Sequence, residues 1–317
     1  MLSYRHVFHA GNLGDVLKHL CLLATLRAST RKATPLCYLD SHAGAGLYAL
    51  RTDMPAAELH SGIGALWSRL ARVESAADDA LLQDYLTLVL QAQRFADATG
   101  ARARDDRSRL LDMPLQLYPG SPWFAGACLR AGDRMWLAEL HSTDQPLLEQ
   151  AMRLHPAAVR PADVHVLHAD GYAMLAANLP PRERRGVVLI DPAYELADEH
   201  DRAMRALSAA LGRFAHGVYL LWAPTRGKAE PARMERDLLQ LRPSKLLRVS
   251  FVPREPRAAL AAALAAALAA APRAQPLGSI VWLINPPFQV EVQLRTTFAA
   301  CADALNVDAE VRWLLGN

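Results

Sequence analysis

The residues with the clearest chemical potential follow short apolar runs. Asp40-Ser41-His42-Ala43-Gly44-Ala45-Gly46 succeeds PLCYL, and its small residues let the backbone turn sharply and approach a ligand closely. GAG lacks the third glycine of GxGxxG, so the turn suits a nucleoside-like ligand that needs no pyrophosphate cradle better than a dinucleotide. A tight turn with no ligand is the plain structural alternative. Glu139 closes the next run, MWLAEL, where a carboxylate can accept hydrogen bonds from both hydroxyls of a ribose. Asp170 ends VHVLHAD, where a carboxylate can meet an adenine amine. Either acid can equally serve as a helix N-cap.

The most specific segment is Asp191-Pro192-Ala193-Tyr194-Glu195, directly after GVVLI, which resembles the (D/N)PP(Y/F) motif of amino-methyltransferases. An exocyclic amine is a poor nucleophile because its lone pair is delocalised into the base. The Asp191 carboxylate and the Pro192 carbonyl can accept its two N–H bonds, favouring a pyramidal amine and the positive charge that develops on attack. Tyr194 can stack on the base. Ala193 departs from the motif, which carries a second proline there; both acceptors remain. Asn285-Pro286-Pro287-Phe288 fits the bare pattern better. It follows the seventh strand candidate, near the sheet edge, whereas DPAYE follows the fourth, which in this sheet class adjoins the first and faces the Gly-rich turn. NPPF is therefore read as a structural turn.

Seven apolar, β-rich runs position these residues: 35–40, 135–140, 164–170, 186–191, 217–224, 245–252 and 279–287. Runs of this kind are buried parallel strands. Helical patterns at 144–154, 171–179 and 200–214 separate most of them, the alternation of a doubly wound α/β sheet. Residues 47 to 134 far exceed an ordinary strand-to-strand connection. Helical spacing at 64–72 and 81–94 makes part of this a small helical insertion, while RARDDRSR reads as a solvated loop. The expected division is a core of 1–46 and 119–317 with an inserted helical subdomain at 47–118. The Ala-rich run 258–271 reads as a surface helical insertion or a mobile segment.

Composition is that of a soluble globular enzyme, with 52% hydrophobic and 21% charged residues and a net charge of +3, which permits an RNA partner without demanding one. No apolar stretch is long enough to span a bilayer, and the N-terminus lacks the apolar core of a secretory signal, so the expected setting is cytoplasmic. Cys21, Cys37, Cys128 and Cys301 are dispersed, which argues against disulfides or a zinc site and for buried apolar filler.

MLSYRHVFHAGNLGDVLKH, YLDSHAGAG, YPGSP, AELH, ADGY, the DPAYE position and the INPPF tail together resemble, in order and over nearly the whole chain, the RlmJ-type 23S rRNA adenine-N6-methyltransferases. Part of 75–113 and the Ala-rich run fall outside the resemblance. It implies a Rossmann-like class I methyltransferase core, S-adenosylmethionine as sole cofactor, no metal and ribosomal RNA of the large subunit as partner, with the protein expected to be a monomer. Position by position, it implies that His19, His42, Ser121, Glu139, Asp170 and Gly171 bind cofactor and that Asp191 is catalytic, beside Pro192 and Tyr194. Tyr4 matches an aromatic position approaching the substrate RNA, and His6 and Lys18 share its cofactor- and substrate-facing motif. For His19 and His42 the bland alternative is a core or capping histidine, and for Ser121 a helix cap. Asn12 is the expected N-cap of the helix carrying Lys18 and His19. A nicotinamide-dependent oxidoreductase would use the same sheet and turn but leaves DPAYE unexplained. A non-catalytic RNA-binding protein on this fold is the other alternative.

Overall fold

The computed structural model describes residues 6–50, 61–72, 79–95, 114–156, 163–225, 229–254 and 278–316. Tyr4, the RARDDRSR loop and the Ala-rich run lie outside the described residues. A short 3-10 turn, His6–Phe8, leads into α1 (Leu13–Thr30), whose N-cap is Asn12, as its sequence indicates: Asn12 Oδ1 accepts from the Asp15 amide at 3.0 Å. The chain continues through β1 (Cys37–Asp40), β2 (Leu47–Ala49), α2 (Ile63–Arg72), α3 (Ala80–Gln93), β3 (Leu117–Pro119), α4 (Ser121–Cys128) and β4 (Arg134–Glu139). Then follow α5 (Asp144–Leu154), β5 (Asp163–His168), α6 (Gly171–Asn178), β6 (Gly186–Ile190), α7 (Glu199–Arg213) and β7 (Val218–Thr225). The last elements are α8 (Ala229–Gln240), β8 (Leu246–Pro253), β9 (Gly278–Ile284), α9 (Val290–Leu305) and β10 (Val307–Leu315).

The main sheet has eight strands in the order β10-β8-β9-β7-β6-β1-β4-β5. From β7 to β5 neighbours are parallel, whereas β9 pairs antiparallel with both β7 and β8. The seven-strand expectation is corrected by β10, an antiparallel edge strand on β8. Its sequence VDAEVRWLL alternates apolar and charged residues, as an edge strand with one solvated face must. A separate two-stranded ribbon pairs β2 with β3.

Side-chain alternation divides the core between the two faces of the sheet. Tyr38, Val187 and Leu189 join the cluster under α1, while Cys37, Leu39, Val188 and Ile190 join the opposite one under α6 and α7. Helix α1 packs against the sheet on one side and against α3 and α9 on another, so it is buried on nearly all faces rather than along a single stripe. Leu17, Leu20 and Leu23 of α1 share one buried cluster with Ile63, Trp67 and Tyr85 of α2 and α3. Among the described residues no helix is long and apolar enough to cross a membrane.

The sheet order places the two Pro-containing motifs at opposite ends. Asp191 follows β6, which lies beside β1, so it stands at the carboxyl edge of the parallel strands. The antiparallel β9 instead delivers Asn285 to their amino edge, where Ile284 pairs with Tyr219 near the start of β7. Asn285 thus follows an interior strand, not an edge one, and is removed from Asp191 by a strand length. It adopts φ 52°, and its Nδ2 donates to the carbonyls of Ala215 and Gly217, both at 2.9 Å. Asn285→Ala is therefore expected to lower stability by about 1–2 kcal/mol through lost hydrogen bonds and left-handed strain, leaving turnover per folded molecule unchanged. Urea unfolding beside a turnover assay checks this; a selective loss of turnover would contradict it.

Candidate active site

The strand order opens a crevice between β1 and β6, at whose carboxyl ends doubly wound sheets bind their ligands. The turn after β1 places Gly44 and Gly46 at φ 62° and 74°, a region that L side chains disfavour. A Cβ on Gly171 would lie 1.7 Å from the Ser41 carbonyl oxygen, so the start of α6 touches this turn backbone to backbone. Glu139 spans the same turn: Oε2 accepts from the Gly44 amide at 2.8 Å and Oε1 from the His141 amide at 2.6 Å. It is not a helix cap. Burial raises its pKa, opposed by these two amides.

Asp170 is the N-cap of α6, with Oδ1 accepting from the Ala173 amide at 3.0 Å. Its Oδ2 accepts from Arg202 at 2.9 Å, and the Arg202 guanidinium lies over the Tyr172 ring. Ser121 does not cap α4, whose N-cap is Gly120; its hydroxyl donates to Asp40 Oδ2 at 2.7 Å. Tyr38 donates to the same oxygen at 2.7 Å. His42 is held by the Ser41 hydroxyl at 2.8 Å and by an edge contact with Tyr172.

These buried groups titrate abnormally. Burial pushes Asp40 up to about 6 against the pull of the Ser121 and Tyr38 hydroxyls, and pushes His42 down to about 4. The native state therefore keeps the Asp40 proton that the unfolded chain releases above the model-compound value of 3.8, so its contribution to stability falls as pH rises through about 4 to 6. His42 acts in the opposite sense, because the unfolded chain takes up its proton first as pH falls below 6.5. Asp40→Asn should therefore make stability rise more steeply with pH over that window than it does in the wild type. Urea unfolding midpoints at several pH values test it; parallel curves would contradict it.

Helix α1 supplies the other wall. Lys18 Nζ donates to Asp191 Oδ2 at 2.5 Å and to Asp15 Oδ1 at 2.7 Å, and lies 5.8 Å from the Trp222 ring centroid. Burial alone would lower its pKa, but the two carboxylates outweigh this and raise it, so the ammonium is permanent. Next to it, His19 Nδ1 meets the Tyr118 hydroxyl at 2.7 Å, while its Nε2 is buried without a hydrogen-bond partner among the described residues. Burial holds His19 well below its ordinary pKa and neutral. His6 meets Asp15 through Nε2 at 2.9 Å.

Tyr194 differs from the expected stacking platform. It adopts φ 51°, is only 8% exposed, and donates its hydroxyl to the Trp222 carbonyl at 2.9 Å, so its ring belongs to the core beneath α7. That hydrogen bond ties the segment after Asp191 to β7. Lys18, Asp191, His6 and Asp15 are thus brought together by direct contacts. Around the β1 turn stand His42, Ser121, Glu139, Asp170 and Gly171. Asp15, Arg202 and Trp222 were not singled out from the sequence, and Asp40 entered only as the first residue of the Gly-rich turn. Asp15 and Lys18 are three residues apart on a helix apolar on its other faces, a spacing that signals an ion pair. Among the described residues no group of three or more His, Cys, Asp or Glu side chains is arranged to hold a metal.

A parallel doubly wound sheet with an antiparallel strand inserted beside its last parallel member, and with acidic groups at the carboxyl ends of β1, β4, β5 and β6, defines a Rossmann-like methyltransferase fold. The family model for ribosomal RNA large subunit methyltransferase D, RlmJ, matches residues 108–314. The chain is 34% identical over 300 residues to the ribosomal RNA large subunit methyltransferase J of Escherichia coli strain K12, covering 93% of this chain and 90% of that protein. It is 32% identical to the Haemophilus influenzae protein of the same name, covering 93% and 91%. A crystal structure of a Legionella pneumophila protein superposes with a TM-score of 0.76 at 28% identity, covering 98% of this chain and 99% of that one. The chain belongs to the RlmJ family of ribosomal RNA large subunit methyltransferases.

Proposed function

We propose that this protein transfers a methyl group from S-adenosylmethionine to N6 of an adenine in 23S ribosomal RNA, acting as a cytoplasmic monomer without a metal. The observation that carries the reading is Asp191, set at the carboxyl end of β6 and fixed there by the buried Lys18 ammonium. The cofactor fits the residues present: the close Gly171–Ser41 approach and the Glu139-braced glycine turn leave room only for backbone beside a ligand, and His19 Nε2, on the helix that carries Lys18, is a buried polar atom without a hydrogen-bond partner among the described residues. Glu139 would accept from the ribose hydroxyls and Asp170 from the adenine amine, each through oxygens that retain lone pairs. Gly171 admits the adenine side, while His19, His42 and Ser121 line the remainder.

Bound S-adenosylmethionine supplies a methyl group on a positively charged sulfonium. The chain's own task is to aim the amine at it. Lys18 occupies Asp191 Oδ2, so Oδ1 and the Pro192 carbonyl are left to accept the two N–H bonds of the target base. With its two N–H bonds held by Asp191 Oδ1 and the Pro192 carbonyl, the amine would keep its lone pair free for the methyl group that S-adenosylmethionine would supply, leaving S-adenosylhomocysteine, while its surplus proton would pass to solvent. Ala193 removes a proline from this loop without removing either acceptor. Tyr4 and His6 are assigned to the RNA side, where a protein must handle a base taken out of its stack.

Thermal unfolding with added ligands tests the cofactor assignment. S-adenosylhomocysteine at about 100 times its Kd is expected to stabilise the protein by about 2.7 kcal/mol, and NAD to leave it unchanged. Protection by NAD alone would select the oxidoreductase reading.

A further inference from the structure

We infer that Asp15 is a positioning residue for methyl transfer, acting through Lys18 on Asp191; the inference rests on the methyltransferase reading above. Asp15 is 2% exposed, and each of its carboxylate oxygens has a defined task. Oδ1 accepts from Lys18 Nζ at 2.7 Å; Oδ2 accepts from the Gly11 amide at 2.9 Å and meets His6 Nε2 at 2.9 Å. Burial would raise its pKa, but His6 and Lys18 outweigh that and hold it well below the carboxylate range, so it is ionised. It therefore ties together the turn at Gly11, the histidine at the chain entry and the ammonium that holds Asp191.

The charge balance gives the reason. Lys18 sits 2.5 Å from the carboxylate that must favour positive charge on the amine, in a site that also takes a sulfonium. A lone ammonium there would cancel the field of Asp191 and repel both charges. Asp15 neutralises it, so that Lys18 fixes Asp191 in place while the trio keeps one net negative charge. A neutral residue at 15 leaves Lys18 with Asp191 as its single counter-ion, drawing the carboxylate toward α1 and away from the amine. A misplacement of about 1 Å at a reacting group costs on the order of 100-fold in rate.

The test is a double-mutant cycle with Asp15→Asn and Lys18→Gln, read as single-turnover methylation of a ribosomal RNA fragment beside calorimetric titration with S-adenosylhomocysteine. Asp15→Asn alone is expected to lower turnover by about 100-fold with the product's Kd within about threefold. In the Lys18→Gln background the same substitution is expected to cost less than about threefold, because the charge it balances is gone. Equal losses in both backgrounds, or a loss of binding matching the loss of turnover, would assign Asp15 a purely structural role and overturn the inference. If Asp15→Asn does not fold, Asp15→Glu keeps the charge but displaces Lys18, and wild-type turnover in that variant overturns it. A wild-type protein that leaves the RNA unmethylated would instead remove the methyltransferase reading.

Discussion

Asp191→Ala is expected to lower kcat by about 100- to 1,000-fold while S-adenosylhomocysteine binds within about threefold of wild type, because its acceptor strengthens only as charge develops on the amine. The structure supports this separation. Removing Asp191 leaves Lys18 paired with Asp15 at 2.7 Å, so no buried charge is stranded and the fold is expected to survive. The contacts described for Gly44, Glu139 and Gly171, the residues proposed to hold the cofactor, do not include Asp191. Lys18→Met is the contrasting case, since it abandons two carboxylates at once, and it should unfold at a lower temperature than Asp191→Ala. An Asp191→Ala protein with wild-type kcat would remove this loop from the chemistry.

Seven of the eight strands were legible as apolar runs: interior strands such as β1, β6 and β9 are buried along their whole length and need continuous apolar sequence, whereas the edge strand β5 is only partly buried. Their direction was not. Nothing in SIVWLI distinguishes a parallel strand from an antiparallel one, yet the antiparallel sense of β9 is what carries Asn285 to the far end of the sheet. The alternation of VDAEVRWLL is that of an edge strand, but the expected set of runs ended before it. At the site, short-range logic reached Asn12 and the acids after each strand. It did not reach the Ser121–Asp40 bond, made across 81 residues, or the Lys18–Asp191 bond, made across 173. Tyr194 shows the same limit, since its motif position marks an aromatic beside the site while its burial depends on a carbonyl of β7.

Gly171→Ala is expected to be the most damaging small substitution in the cofactor region. Helix propensity favours Ala over Gly by about 1 kcal/mol, so sequence reasoning alone predicts a gain. The new Cβ, however, would stand 1.7 Å from the Ser41 oxygen and 2.5 Å from its carbonyl carbon, with backbone on both sides and no flexible side chain to yield. Overpacking of this kind costs about 1–3 kcal/mol, which lowers Tm by about 1.5 °C per kcal/mol in a chain of this length. Because the strain is released by moving the β1 turn away from α6, cofactor affinity should fall by about tenfold or more, in line with the loss of one well-placed contact of about 1.4 kcal/mol. Gly212→Ala provides the control: it lies within α7, exposed, and an added Cβ meets nothing within 4 Å. That variant should gain about 0.5–1 kcal/mol and leave the cofactor Kd unchanged. A Gly171→Ala protein as stable and as cofactor-competent as wild type would show that α6 does not abut the turn.

Asp191, held by Lys18, is expected to direct a methyl group onto N6 of an adenine in ribosomal RNA. Mass-spectrometric mapping of 23S ribosomal RNA from cells lacking this protein, before and after incubation with the purified wild type or Asp191→Ala and labelled S-adenosylmethionine, tests it most directly. One N6-methyladenosine is expected to be absent without the protein, restored with label by the wild type and not restored by the variant. Label on another base or atom, or no label with the wild type, would contradict it.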